Sequence, residues 1–92
     1  MNAKEMFKEL AYDQKENSTD GIQYVKKDKD SEMQRIGMIS TKCIEFYNAH
    51  KEIVVTTTRK HRNGHIATSD CGILSIKEFI AVQKQVLELN WH

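Results

Sequence analysis

The chain has 92 residues, 39% of them hydrophobic, and a formal net charge of +1 at pH 7. That length and apolar share allow one domain (1–92) with a single modest core, and the charge balance favours no general class of partner. Two cysteines, Cys43 and Cys71, are too few for a disulfide framework. No apolar run is long enough for a secretory leader or a transmembrane helix, so we expect a cytoplasmic protein.

The first predicted element is a helix from about Ala3 to Ala11, with Asn2 as its cap and Glu5 three residues on. The helix is short, so it must pack against the rest of the domain to be stable. The next residues, 12–21, are polar and rich in turn formers, which predicts a solvated loop.

From Ile22 onward the apolar residues alternate with polar ones, which is typical of strands. Strands are predicted at about 22–26, 34–40, 43–48 and 53–58, and the last is the strongest because all its residues are β-branched. A charged turn (27–32), a turn at Thr41 and Lys42, and a third turn at 49–52 would connect them. Turns this short favour antiparallel neighbours.

The fourth strand is expected to continue to Arg62 and to turn at Asn63-Gly64, a strong signal for a two-residue hairpin loop. A return strand, 65–69, would then pair Arg62 with His65 and His61 with Ile66. The alternation of side chains predicts a core face and a solvated face. The core face would hold Ile53, Val55, Thr57, Arg59, His61 and Ile66, and the solvated face Val54, Thr56, Thr58, Lys60, Arg62 and His65.

The last element is a helix that begins at a capping box formed by Ser75 and Glu78. Asn90 can end it in the left-handed conformation, with Trp91 folded back over Val86. Apolar residues recur at the helical period and predict the buried side. That side would hold Ile76, Phe79, Ile80, Val82, Val86, Leu87 and Leu89, with Lys77, Glu78, Lys84, Gln85 and Glu88 mostly opposite.

These elements predict an α+β domain in which an antiparallel sheet of four to five strands carries the N- and C-terminal helices on one face. The other face would be open to solvent. Tyr47, Val54 and either Val25 or Tyr24 would form a modest apolar strip on it, suited to a protein partner or to a homodimer through the exposed sheet face.

The two ends of the chain resemble a family of small proteins encoded in phages and prophages of Gram-positive bacteria. EMFKELAYD (5–13) is similar to the family's first helix with its Leu-Gly-Tyr, and SIKEFIAVQKQVLELNW (75–91) to its closing Glu-Leu-Gly-Trp helix. Ala11 and Asn90 stand where the family has glycine. Asn90 still suits a left-handed cap, but Ala11 does not, which predicts that the first helix continues through Tyr12. The resemblance implies an accessory protein with no assigned catalytic residue.

The basic hairpin 59–65 is the most informative polar feature. Arg59, Lys60, Arg62 and His65 could contact phosphate, which would make nucleic acid the partner. The alternative is a charged edge that prevents aggregation, which the absence of aromatic stacking residues on the same face favours.

A metal site and a catalytic site are weaker alternatives. His61, His65, Asp70 and Cys71, with Cys43, contain metal-binding residue types, but strand alternation would send the two histidines to opposite faces. Either histidine beside the hairpin cations could serve a small ribonuclease, by analogy of architecture alone. We therefore predict no cofactor, no metal and no catalytic residue, and a non-enzymatic protein-interaction module.

Overall fold

Regular structure accounts for most of the chain in the computed structural model, which describes residues 1–28, 37–61 and 63–91. The predicted α+β fold is confirmed: five antiparallel strands lie in the order β1-β2-β3-β4-β5, with a helix at each end of the chain. None of the described helices is long and apolar enough to span a membrane. The elements are α1 (Ala3–Glu9), β1 (Asp13–Asn17), β2 (Gly21–Asp28), β3 (Met38–Tyr47), β4 (Glu52–His61), β5 (Ile66–Cys71) and α2 (Ile76–Glu88).

The first strand, β1, lies where the sequence predicted a solvated loop, so that prediction was wrong. Gln14 pairs with Tyr24 and Asn17 with Ile22, and a bulge between Gln14 and Glu16 shifts the register. The bulge interrupts the alternation of side chains, and an edge strand made of polar residues carries no hydrophobic pattern. The strand therefore leaves no period-two signal in the sequence.

The strand β3 is continuous through Thr41 and Lys42, where a turn was predicted. Thr41 pairs with Lys27 and Thr58, and Lys42 with Lys26 and Thr57. The prediction treated Lys42 as a turn residue, whereas Lys42 lies inside the sheet with its ammonium group paired to the carboxylate of Glu78. Most of the predicted charged turn and the start of the predicted strand fall in residues 29–36, outside the described part of the chain.

The hairpin between β4 and β5 has a longer loop than predicted. The His61 amide donates to the His65 carbonyl at 2.9 Å, which leaves three residues between them instead of two. Lys60 pairs with Ile66 and Arg59 with Thr68, so a bulge absorbs Ala67. Ile66 therefore shares a face with Lys60 instead of lying on the core face, and the predicted pairing of Arg62 with His65 involves a residue outside the described ones.

The core lies between the two helices and one face of the sheet, which we call the helix face. Phe7 of α1 stacks on Tyr24 with ring centroids 4.0 Å apart, and both rings meet Phe46 edge-on. Trp91 also packs against Phe46, and its ring N–H donates to the Asn48 side chain at 3.3 Å. The buried cluster is Phe7, Tyr12, Ile22, Tyr24, Ile44, Phe46, Ala81 and Val82.

Both helices end in a Schellman motif. At the end of α2, Asn90 has φ 55° and the Trp91 amide donates to the Val86 carbonyl, as predicted. At the end of α1, Ala11 has φ 70° and the Tyr12 amide donates to the Phe7 carbonyl at 2.9 Å. The prediction that α1 continues through Tyr12 was wrong, because burial of the Tyr12 ring in the core stabilises the left-handed residue before it.

Replacing Ala11 with glycine is expected to raise the free energy of unfolding by about 1 kcal/mol, because glycine adopts positive φ without the steric cost of a Cβ atom. For a domain of this size the thermal midpoint would rise by roughly 4–8 °C, measured by circular dichroism. Lys8→Gly, at an ordinary helical position of α1, is the control and should lower stability by about 1 kcal/mol. A loss of stability in Ala11→Gly would contradict the backbone assignment.

Candidate interaction surfaces

The side of α2 that faces the sheet carries two polar residues, Glu78 and Gln85, which are only 5% and 4% exposed. Tyr12 donates its hydroxyl hydrogen to Glu78, and Tyr24 donates to Gln85 at 2.6 Å. Lys42 forms an ion pair with Glu78 at 2.9 Å and also donates to the Ile73 carbonyl. The inward side of α2 is therefore fixed by hydrogen bonds to two core tyrosines and one lysine of β3.

These contacts shift the acid–base properties of the buried groups. Burial by itself would raise the pKa of Glu78, but hydrogen bonds from Tyr12, from the Ser75 backbone and from Lys42 outweigh it and lower the pKa to about 2. Burial, and then the hydrogen bond to Glu78, raise the pKa of Tyr12 above its ordinary value. The carboxylate is thus charged and the phenol neutral at physiological pH.

The orientation of α2 differs from the sequence prediction. Four of the apolar residues expected in the core face solvent: Ile76 is 76% exposed, Leu87 71%, Phe79 48% and Ile80 47%. Val82 is buried, and Val86 and Leu89 pack partly against the core, as predicted. In this orientation Glu78 and Gln85 supply the hydrogen-bond acceptors that the buried hydroxyl groups of Tyr12 and Tyr24 require.

The solvent side of α2 carries a regular pattern, which we call the outer stripe: Ile76, Ile80, Gln83 and Leu87. Successive members are four, three and four residues apart, so they follow one line along the helix. Phe79, Gln83, Val86 and Leu87 border a groove on the side of β4, where Ile53 completes the wall. On the other side, Lys77 and Ile80 border a groove shared with α1. The helical spacing of Ile76, Ile80 and Leu87 is visible in the sequence, but these three residues were predicted to lie in the core.

The opposite face of the sheet, the open face, has no helix on it among the described residues. Tyr24, one of the two candidates for its apolar strip, lies in the core instead. Cross-strand partners share a face, and the pairings place Val25, Tyr47 and Val54 here, with Ile39 and Ile66 opposite Lys60. Of the five, Ile39, Tyr47, Val54 and Ile66 are exposed.

Charge on the open face is separated along the strands. Glu16, Gln23, Glu45 and Val54 form one cross-strand row, and the next row toward the β3–β4 turn pairs Tyr47 with Glu52. Lys27 and Lys60 lie at the opposite end of the strands. The apolar side chains of this face are therefore interspersed with acids at one end and lysines at the other.

The predicted nucleic-acid-binding residues do not form one described patch. Arg59 lies on the helix face, opposite Ser40, and its guanidinium is 4.0 Å from the carboxylate of Asp70. Lys60, the next residue, points to the open face, and His65 is exposed in the loop. Arg62 is outside the described residues. The described cations of the hairpin are thus divided between the two faces.

No group of three metal-binding side chains is present in the described ranges 1–28, 37–61 and 63–91. The observed register makes His61 and His65 the closing pair of the hairpin, so the alternation argument that separated them does not apply. Cys43 and Cys71 both pair with Thr56, one on each side, so two strand spacings of roughly 5 Å separate them, too far for a disulfide. Burial raises the pKa of Cys43 to about 11, which disfavours a reactive thiolate.

Comparison with family models, with curated proteins and with solved structures found no match to the chain.

Proposed function

We propose that this chain is a non-enzymatic, phage- or prophage-borne accessory protein that acts in the host cytoplasm by binding another protein chain. The association with phages is supported by the two end segments, 5–13 and 75–91. The observation that carries the binding function is the outer stripe of α2 with its neighbours Phe79 and Ile53, all exposed at the surface. Large apolar side chains that adjoin one another on the surface of a small domain are typical of an interaction site.

The open face is the alternative surface, either for another protein or for a homodimer. Its exposed apolar residues, such as Tyr47 and Val54, are interspersed with charges, which gives a less continuous apolar surface than the outer stripe. Nucleic-acid binding is the alternative of a different class. It is supported by Lys27 and Lys60 at one end of this face, with the hydroxyl of Thr58 in the same cross-strand row as Lys27.

Affinity capture tests the proposal. The immobilised protein would be incubated with host lysate treated with nuclease, and the retained proteins identified by mass spectrometry. Three forms would be compared: wild type, an outer-stripe variant (Ile76→Glu/Leu87→Glu) and an open-face variant (Val54→Glu/Ile66→Glu). We expect wild type and the open-face variant to retain a protein that the outer-stripe variant loses. The retained protein is either a component of the lysate or a second copy of the chain itself. Loss only in the open-face variant would move the site to the sheet.

Nucleic-acid binding is tested separately by fluorescence anisotropy of short labelled DNA and RNA at two salt concentrations. Phosphate contacts weaken steeply with salt, so a phosphate-binding hairpin would show binding at low salt that Lys60→Ala/Arg62→Ala loses. We expect no such binding. Salt-sensitive binding lost in this variant would replace the protein-interaction proposal with the nucleic-acid one.

A further inference from the structure

We infer that the outer stripe of α2 binds the same stripe of a second copy of this chain, with the two helices antiparallel. This inference rests on the proposed function, because it names the partner of the surface proposed there. The contact would form a layered dimer in which the two sheets lie outermost and the helices lie between them. Both open faces would stay accessible, so each dimer would present two identical surfaces to further partners.

The spacing of the outer stripe supports a helix as the occupant. Positions 76, 80, 83 and 87 follow the four-three-four pattern by which one helix packs side chains between those of another. In an antiparallel pair centred on this stripe, Ile76 meets Leu87 of the second copy, and Ile80 meets Gln83. Each apolar end is therefore matched with an apolar end, and the stripe is complementary to itself, as a twofold interface requires.

The two sides of the stripe indicate the direction of pairing. Phe79 and Val86 lie along the side nearer β4, and Lys77 and Lys84 along the side nearer α1. Antiparallel helices bring equivalent sides together, so Phe79 meets Val86 of the second copy and the apolar contact widens toward Ile53. Parallel helices would instead place Phe79 and Val86 against the lysines. The antiparallel arrangement also brings Lys77 near Lys84 of the second copy, but at the rim, where their charges stay hydrated and repel only weakly.

The exposed apolar surface is large enough for the centre of such an interface. Ile53, Ile76, Phe79, Ile80 and Leu87 are all exposed. At roughly 100 Å² each they supply on the order of 500 Å² per protomer, against roughly 800 Å² per partner in a standard stable interface. Gln83, Lys77 and the end of α1 would contribute the polar remainder. The helix is held by its buried hydrogen bonds, so little ordering is needed on association.

Sedimentation equilibrium over a wide concentration range tests the inference. Wild type is expected to sediment as a monomer–dimer equilibrium, and Ile76→Glu/Leu87→Glu to weaken the dimer at least about 100-fold, because each copy would place acids against the acids of the other. Both replaced side chains are exposed, so the variant should keep the wild-type circular dichroism spectrum. Val54→Glu/Ile66→Glu, with the same replacements on the open face, is the matched control and should dimerise like wild type.

Disulfide trapping tests the direction of the helices, in a background where Cys43→Ser and Cys71→Ser remove the native thiols. A mixture of Ile80→Cys and Gln83→Cys proteins is expected to form the mixed disulfide under mild oxidation, because these positions meet across the twofold axis. The Gln83→Cys protein alone should form little disulfide-linked homodimer. Efficient homodimeric disulfide at position 83, with little mixed product, would overturn the antiparallel arrangement.

The outcomes separate this inference from the proposed function. A wild-type protein that is monomeric at every concentration overturns the inference, as does a dimer that only the open-face variant loses. If a monomeric wild type still retains a different protein in a way that depends on the outer stripe, the proposed function stands and only the identity of the partner is wrong. If the chain neither dimerises nor retains a protein, both fail.

Discussion

Replacing Glu78 with glutamine is expected to lower the free energy of unfolding at neutral pH by about 3 kcal/mol. The substitution keeps the shape of the side chain, so Tyr12 retains an acceptor, but Lys42 loses the opposite charge that compensates for its burial. The magnitude follows from the pKa, which falls from an ordinary 4.5 to about 2 in the folded protein. Chemical denaturation of both proteins at several pH values measures the difference.

The pH dependence of this effect has a definite sign. A carboxyl group whose pKa is lowered by folding stabilises the protein fully above about pH 5, and the contribution is lost as the pH falls through about 2. Wild type and Glu78→Gln should therefore differ most at neutral pH and converge toward pH 2. Glu9→Gln, an exposed position on α1, is the control and should change little. An equal difference at pH 7 and at pH 2 would contradict the assigned ion pair.

Replacing Gly21 with alanine is expected to destabilise the domain by about 3 kcal/mol or more. A Cβ atom at Gly21 would lie 1.9 Å from the carbonyl oxygen of Phe46, which is backbone and cannot rotate away. The first residue of β2 and its partner strand β3 would have to separate at Tyr47, beside the Phe46 ring of the core. Thermal unfolding followed by circular dichroism should show a fall on the order of 15 °C in the midpoint.

Gly64→Ala is the matched control for this substitution. Gly64 has φ 91°, and a Cβ atom there would meet no atom within 4 Å, so only the backbone strain of a left-handed residue is added. A loss of about 1 kcal/mol is expected. If the two variants were equally destabilised, close approach of the strands at Gly21 would not be the cause.

The sequence predicted the architecture well because the strongest local signals agree with the observed packing. The two capping boxes, Asn2 with Glu5 and Ser75 with Glu78, are both formed. The β-branched run 53–58 lies within β4, and Asn90 ends α2 as expected. These features depend on a few neighbouring residues, so they can be read from the chain without knowledge of its tertiary contacts.

The features that were missed depend on contacts between distant residues. The polar strand β1 exists because it pairs with β2, and Lys42 stays inside β3 because Glu78 of α2 neutralises it. Ala11 adopts its left-handed conformation because Tyr12 must enter the core. The outer stripe was missed for the same reason. Periodicity identified α2 as amphipathic, but the side that faces inward is the one that accepts hydrogen bonds from Tyr12 and Tyr24.

Helix α2 places Gln85 inside the domain and Leu87 on its surface. Thiol labelling measures this orientation, with Leu87→Cys and Gln85→Cys each made in the Cys43→Ser/Cys71→Ser background and reacted with a thiol reagent at low protein concentration. This orientation predicts that the thiol at position 87 reacts nearly as fast as in the unfolded chain, whereas the thiol at position 85 is protected until the protein unfolds. Fast labelling at position 85 and protection at position 87 would contradict it, and would remove the outer stripe as an interaction surface.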